Sequence, residues 1–273
     1  MSVYTKFGAK VRYYLLFLDN IIYKSRRKKL NLQHITAKKM PKETFSFRLF
    51  TLQQDRCAMK VGTDSVLLGA WASITGSKHI LDIGTGTGIL ALFMAQRCPS
   101  AQITALEIDP QAASQARENI ESSPWGDRII TICEDFCQFT SLLLFDHIVS
   151  NPPYFQDSLP SPDHARNCAR HTSTLSYKEL IEKAVSLLSP DGILSLVLPY
   201  EYAAEVRSIA FSYGLYTFRL AEIQPLPNGA IKRVMMEFSF RLQLCHTQRL
   251  VLQTENGERT PETRSLTQDF YQL

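Results

Sequence analysis

The six cysteines, at positions 57, 98, 133, 137, 168 and 245, include no C-x-x-C pair, and none stands at metal-ligand spacing from a histidine. A 273-residue chain without such a framework reads as a cytosolic protein with reduced thiols rather than a disulfide scaffold or zinc module. Cys133 and Cys137 lie four apart, but no second pair completes a site; His164 and His171 flank a loop without a partner pattern, so no metal is expected. Long apolar runs are also missing. The stretch Tyr13 to Tyr23 is broken by Asp19 and Asn20 and is too short to cross a bilayer. Arg26-Arg27-Lys28-Lys29 follows it where a signal peptide would carry small residues, so neither a membrane anchor nor secretion is expected. There is no G-x-G-x-x-G dinucleotide fingerprint, no G-K-[ST] phosphate loop and no repeat of fixed period.

What is present is an ordinary globular composition, 45% hydrophobic and 21% charged, enough for a substantial core. The net charge of +4 conceals an asymmetry. Residues 1–39 hold ten Lys/Arg and one acid, a balance of +9, which leaves 4 − 9 = −5 for the rest. A basic arm on an acidic body suits contact with a polyanion. The competing expectation is a solvated, disordered tail, or an untranslated leader ahead of Met40. The division is therefore a basic extension over 1–43 and one domain over 44–273 with a polar C-terminal segment.

From Thr44 the pattern is regular. Phe45, Phe47 and Leu49 alternate as in a half-exposed strand, and Thr63 or Asp64 is a plausible N-cap for an apolar helix over 65–74. Strands are expected at 79–83, 102–107, 128–133, 145–150, 192–198, 215–223 and 234–240. Helices are expected at 89–97, 110–121, 180–188 and 201–213. Residues 155–174 read as a polar loop longer than packing requires. The last 33 residues are polar, with a short hairpin around Glu255-Asn256-Gly257 and an aromatic end at Phe270-Tyr271. Alternation of this kind specifies an α/β fold with a mostly parallel sheet and helices on both faces.

Four strand ends carry the chemistry. The first is followed by Gly84-Thr85-Gly86-Thr87-Gly88, whose glycines allow a sharp turn and a close ligand; Asp82 stands just before it and suits a cationic group. Glu107 ends the second strand, where a carboxylate takes ribose hydroxyls. Asp135, with Phe136 beside it, follows the third, an acid and an aromatic wall fit for adenine. Each acid alone is equally at home as a helix cap or a solvated charge. The fourth strand runs into Asn151-Pro152-Pro153-Tyr154, a stiff elbow, because neither proline has an N–H and each fixes φ.

This set resembles the class I S-adenosylmethionine-dependent methyltransferases over about residues 44–240. The resemblance implies a Rossmann-like, seven-stranded, mostly parallel sheet with the last strand antiparallel. It also implies a cofactor site at Asp82, Gly84, Gly86, Gly88, Glu107, Asp135 and Phe136. Asn-Pro-Pro-Tyr resembles the motif of enzymes that methylate a planar amino nitrogen. There Asn151 and the Pro152 carbonyl take the amine protons, Pro153 stiffens the turn and Tyr154 stacks on the acceptor.

The segment Gln54-Asp55-Arg56-Cys57-Ala58-Met59-Lys60-Val61-Gly62-Thr63-Asp64 closely resembles the bacterial enzymes that form N6-methyladenosine beside the anticodon of a valine tRNA. Ser150 to Phe155, Ala169-Arg170-His171, Leu196 to Pro199 and Lys232-Arg233 agree with it. The resemblance implies a cytoplasmic, monomeric tRNA-modifying enzyme, with Gly62 and Thr63 at the methionine end of the cofactor. Arg166, Arg170, Lys232 and Arg233 are candidates for tRNA phosphate contact. The basic extension lies outside the family's pattern. Three rival readings are a protein-glutamine methyltransferase of the release-factor type, a ribosomal RNA amino-group methyltransferase, and a catalytically silent RNA-binding factor. A DNA enzyme would need a target-recognition domain for which 273 residues leave no room.

Overall fold

The computed structural model describes residues 44–153 and 175–271. The basic extension, Tyr154, Arg166, Arg170 and the long polar loop lie outside the described residues.

A hairpin of β1 (Thr44–Ser46) and β2 (Thr51–Gln53) opens the fold, followed by α1 (Thr63–Trp71). The repeating units are β3 (His79–Ile83), α2 (Ile89–Arg97), β4 (Gln102–Glu107), α3 (Pro110–Glu121), β5 (Ile129–Cys133) and β6 (Phe145–Ser150). Then come α4 (Tyr177–Leu187), β7 (Leu188–Pro199), α5 (Ala203–Ser212), β8 (Tyr216–Gln224), β9 (Arg233–Ser239), β10 (His246–Val251) and α6 (Pro261–Thr267).

The main sheet has the order β10-β8-β9-β7-β6-β3-β4-β5. Strands β3 to β7 are parallel, and β9 runs antiparallel to both β7 and β8. The chain leaves β3 towards β4 on one side and returns to β6 on the other, so the topological switch lies between β3 and β6. An open α/β sheet binds ligands in the crevice at that point. Ile83 pairs with Ser150 in register, and the Ser150 hydroxyl donates to the Ile83 carbonyl at 2.9 Å. The glycine loop and the Asn-Pro-Pro elbow therefore leave neighbouring strands side by side.

Successive residues of β3 serve two cores. Ile80 packs with α1, α2 and α3, and Leu81 with α4 and α5, which is why the strand reads as a continuous apolar run. Among the described residues no helix is long and apolar enough to cross a membrane.

Four local expectations are corrected. The sheet has eight strands, not seven, because His246–Val251 adds parallel to the outer edge of β8. That edge strand buries little besides Leu250, so it carries no two-faced hydrophobic signal. The Phe45–Leu49 alternation is not one strand: the chain turns at 47–50, with Phe47 and Phe50 in the core and Leu49 half exposed. The N-cap of α1 is Gly62, which has no side chain to cap with; Thr63 and Asp64 lie inside the helix, where the Asp64 carboxylate pairs with Arg233 at 3.0 Å. The polar-looking C-terminus also joins the core, since Phe270 stacks on Phe93 with ring centroids 3.8 Å apart and 16° between planes. The hairpin near Glu255 is present as the bridge Gln253–Arg259, with Gly257 at φ 80°.

Candidate active site

A cavity of about 310 Å³ opens at the carboxyl ends of β3, β4, β5 and β6. Of the residues nominated from sequence, Gly84, Gly86, Glu107, Asp135, Phe136, Asn151 and Pro153 line it. Asp82, Gly88, Gly62, Thr63 and Pro152 do not.

The floor is the glycine loop. The Gly84 and Thr85 N–H groups both donate to the Leu106 carbonyl at 2.9 Å, which pins the turn to the end of β4. Gly84 and Gly86 have φ of 68° and 54°, a region in which a Cβ is strained. No heavy atom lies within 4 Å of where their Cβ atoms would stand, so backbone alone faces the space above.

Asp82 is fully buried beneath this loop. Its Oδ2 accepts from the Thr85 hydroxyl at 2.5 Å and from the Ala91 N–H at 3.0 Å. Ala91 is the third residue of α2, whose N-cap, Gly88, has no side chain to offer. Asp82 therefore supplies the missing cap from the end of β3 and ties loop to helix. Among the described residues its Oδ1 has no hydrogen-bond partner. Burial pushes this carboxyl up to about 7, against the opposing hydrogen bonds from Thr85 and Ala91.

Glu107, at the end of β4, is oriented by three backbone donors. Its Oε2 accepts from Gly86 N–H at 2.8 Å, and its Oε1 from the Ile108 and Asp109 N–H groups at 3.0 and 3.1 Å. The carboxylate thus faces the cavity in a fixed plane, with further lone pairs available to ligand hydroxyls. At the end of β5, the Asp135 Oδ1 accepts from Cys137 N–H at 2.9 Å, and Phe136 is buried against it.

The elbow stands across the cavity from the loop. The Asn151 Nδ2 donates to the Ser65 hydroxyl at 2.9 Å. Lys232 and Arg233 lie near it: Arg233 pairs with Pro199 at the end of β7, next to β6 in the sheet. The Arg233 Nε donates to Asp64 and its Nη1 to the Lys232 carbonyl, so its guanidinium is largely engaged within the fold.

Sequence reasoning did not pick out Cys57, Ala58, Met59, Ile108, Asp109, Ala112, Cys137 and Glu179, which also line the cavity. Cys57 to Met59 belong to a strap between β2 and α1, within the segment already singled out but five residues ahead of the position nominated there. The Gln54 side chain folds the strap back by accepting from Val61 N–H at 2.9 Å. Burial, with Glu107 and Asp109 nearby, pushes the Cys57 thiol up to about 11, so it serves as an apolar wall and not as a nucleophile. Ile108 carries one sequence signal, a large apolar residue directly after a strand-end acid; in the fold it is half exposed at the cavity.

Comparison with known proteins agrees with this geometry. Residues 57–209 match the methyltransferase small domain family. A protein from Bacteroides fragilis named tRNA1(Val) (adenine(37)-N6)-methyltransferase is 47% identical over 235 residues, covering 85% of this chain and 99% of its own. Proteins of the same name from Phocaeicola vulgatus and Trichodesmium erythraeum are 47% and 43% identical, covering 99% and 97% of their own lengths. Among solved structures, one described as a predicted O-methyltransferase, Atu636 from Agrobacterium tumefaciens, superposes with a TM-score of 0.61. It is 21% identical and covers 76% of this chain and 96% of its own, a likeness of fold alone.

Proposed function

The chain belongs to the tRNA1(Val) (adenine(37)-N6)-methyltransferase family, and on that premise we propose that it methylates the exocyclic N6 amine of adenine-37 in the anticodon loop of a valine tRNA, with S-adenosylmethionine as donor. The observation that carries this reading is the meeting of two unlike loops over one cavity. A side-chain-free glycine turn with an oriented carboxylate lies on one side, and a proline-stiffened asparagine on the other.

The residues present fit the donor. Gly84 and Gly86 leave the space a ligand needs, Glu107 faces it with both oxygens fixed, and Asp135, Phe136 and Ile108 offer an acceptor and apolar walls for a purine. Gly88 and Asp82 serve this site by holding the loop to α2. The strap at Cys57 to Met59 covers the cavity ahead of Gly62 and Thr63. When bound, S-adenosylmethionine supplies a methyl group activated by its sulfonium.

An aromatic amine is a weak nucleophile because its lone pair is delocalised into the ring. The Asn151 side-chain oxygen and the Pro152 carbonyl would accept hydrogen bonds from its two N–H groups in fixed directions, which favours a pyramidal nitrogen and frees the lone pair from the ring π system. Positioning and charge stabilisation then take the place of a strong base. Pro152 and Pro153 keep the acceptors from swinging. Tyr154 would stack on the base, as unpaired bases stack on aromatic rings. Lys232, Arg166 and Arg170 would contact tRNA phosphates, while Arg233 holds Asp64 at the start of α1; the site of action would be the cytoplasm.

The test is incubation with methyl-labelled S-adenosylmethionine and an unmodified valine tRNA transcript, followed by nucleoside digestion. Label in N6-methyladenosine from position 37 is expected; label on protein, or on guanine or cytosine, would reject the reading.

A further inference from the structure

We infer that Ser65 is a positioning residue for the reacting amine, restraining the Asn151 carboxamide that faces it. This rests on the elbow's proposed role as the amine acceptor.

A carboxamide is nearly isosteric about its long axis, yet one end only donates and the other only accepts. With the oxygen towards the adenine amine, Asn151 accepts a hydrogen bond from it. Half a turn later it presents two N–H bonds to a group that also donates, and the site is blocked. Something outside the elbow must therefore hold the side chain in its productive setting. The Ser65 hydroxyl does so by accepting from Asn151 Nδ2 at 2.9 Å, which restrains the carboxamide with its nitrogen towards α1 and its oxygen at the opposite end.

Ser65 is itself held in place. Ser65 is the third residue of α1, and its neighbour Asp64 is paired with Arg233 at 3.0 Å, which fixes the first turn of the helix to the start of β9. On the other side, the Ser150 hydroxyl bonds the Ile83 carbonyl at 2.9 Å, which fixes the residue before Asn151. Both partners of the 2.9 Å contact thus stand on anchored backbone, and the bond is partly shielded from water.

Alanine is a better helix former than serine, so loss of the hydroxyl does not weaken α1 by propensity. The experiment measures steady-state methylation of the unmodified valine tRNA transcript and calorimetric binding of S-adenosylmethionine for wild type, Ser65→Ala, Ser65→Thr and Asn151→Ala. Ser65→Ala is expected to lower kcat roughly tenfold, the scale of one lost hydrogen bond at the transition state. Its KM for tRNA and Kd for S-adenosylmethionine should stay within about twofold of wild type, and Ser65→Thr, which keeps the hydroxyl, should recover most of the turnover. An unchanged kcat in Ser65→Ala, equal losses in the Ala and Thr variants, or weakened cofactor binding would each overturn the inference. Full turnover in Asn151→Ala, or an unlabelled tRNA with wild type, would instead remove the elbow or the substrate reading itself.

Discussion

Asn119 grips the backbone of Gln53 from both sides: its amide nitrogen donates to the Gln53 carbonyl at 2.8 Å, and its oxygen accepts the Gln53 N–H at 2.8 Å. The same nitrogen reaches the Thr87 carbonyl at 2.9 Å. One side chain of α3 thereby holds the start of the strap and the rim of the glycine loop together. One turn earlier, Gln115 accepts from Arg56 N–H at 3.1 Å and donates to Asp55. Substituting Asn119 by Ala leaves three backbone groups without their partner, at roughly 1–3 kcal/mol for a buried group. A fall in melting temperature and at least a roughly fivefold weaker S-adenosylmethionine affinity, read by calorimetry, are expected. Affinity equal to wild type would show that the strap does not cover the cofactor.

Glu107 invites a subtler change. Glu107→Gln keeps the shape but cannot accept at both ends, so either Gly86 or the Ile108–Asp109 pair loses its acceptor. Cofactor affinity is expected to fall about tenfold or more, on the scale of a charge-assisted hydrogen bond. Fluorescence or calorimetric titration checks it, and wild-type affinity in Glu107→Gln would exclude a ribose-binding role.

Two fully buried groups oppose each other in pH dependence. Burial raises Asp82 from 3.8 to about 7, so in that window the folded chain holds a proton that the unfolded chain has lost. This contribution is complete below pH 4 and is lost as pH rises to 7, by up to roughly 4 kcal/mol. Burial lowers His147, which bonds Ser195 at 2.8 Å, from 6.5 to about 4. Here the unfolded chain takes up the extra proton, so stability is complete above pH 6.5 and falls as pH drops to 4, by up to roughly 3 kcal/mol. In urea unfolding between pH 4.5 and 7, Asp82→Asn is expected to make stability rise more steeply with pH than in wild type, and His147→Gln to tilt it the opposite way. Three parallel profiles would show that these groups are not buried in solution as described.

Phe270 is a test of how far the C-terminal segment belongs to the core. It is buried, stacked on Phe93, and its carbonyl accepts from Arg48 N–H at 2.7 Å. Phe270→Ala is expected to destabilise by about 3–5 kcal/mol, the usual cost of emptying a buried aromatic site. Calorimetric melting measures this; a loss under about 1 kcal/mol would mean that the segment detaches without consequence.

Contact between the basic extension and tRNA phosphates has a test of its own. Removing residues 1–39 deletes a net charge of +9. If the arm neutralises phosphates, the dependence of log Kd on log salt becomes shallower in the truncated protein while cofactor affinity is unchanged. An identical salt slope in filter-binding assays would assign the arm no contact with RNA.

The chain's local chemistry was enough to specify the repeating units and their active ends. Glycines at 84, 86 and 88, acids at 82, 107 and 135 and the double proline at 152–153 each act through backbone geometry or charge at one point, and such signals survive in a linear text. The bounds of β3, α2, β4, α3 and β6 follow for the same reason, since their apolar periods and turn residues are local. What each group does once folded was a tertiary matter. Asp82 and Glu107 look alike in sequence, both acids at strand ends, yet one is sealed under the loop as a helix cap and the other lines the cavity. Strand packing and burial decide that difference, and neither is written in a residue's neighbours. Likewise Ser65 and Asn151, 86 positions apart, meet only because α1 packs beside the end of β6. The eighth strand and Phe270 depend on edges and rings supplied by distant elements, so their polar surroundings concealed them.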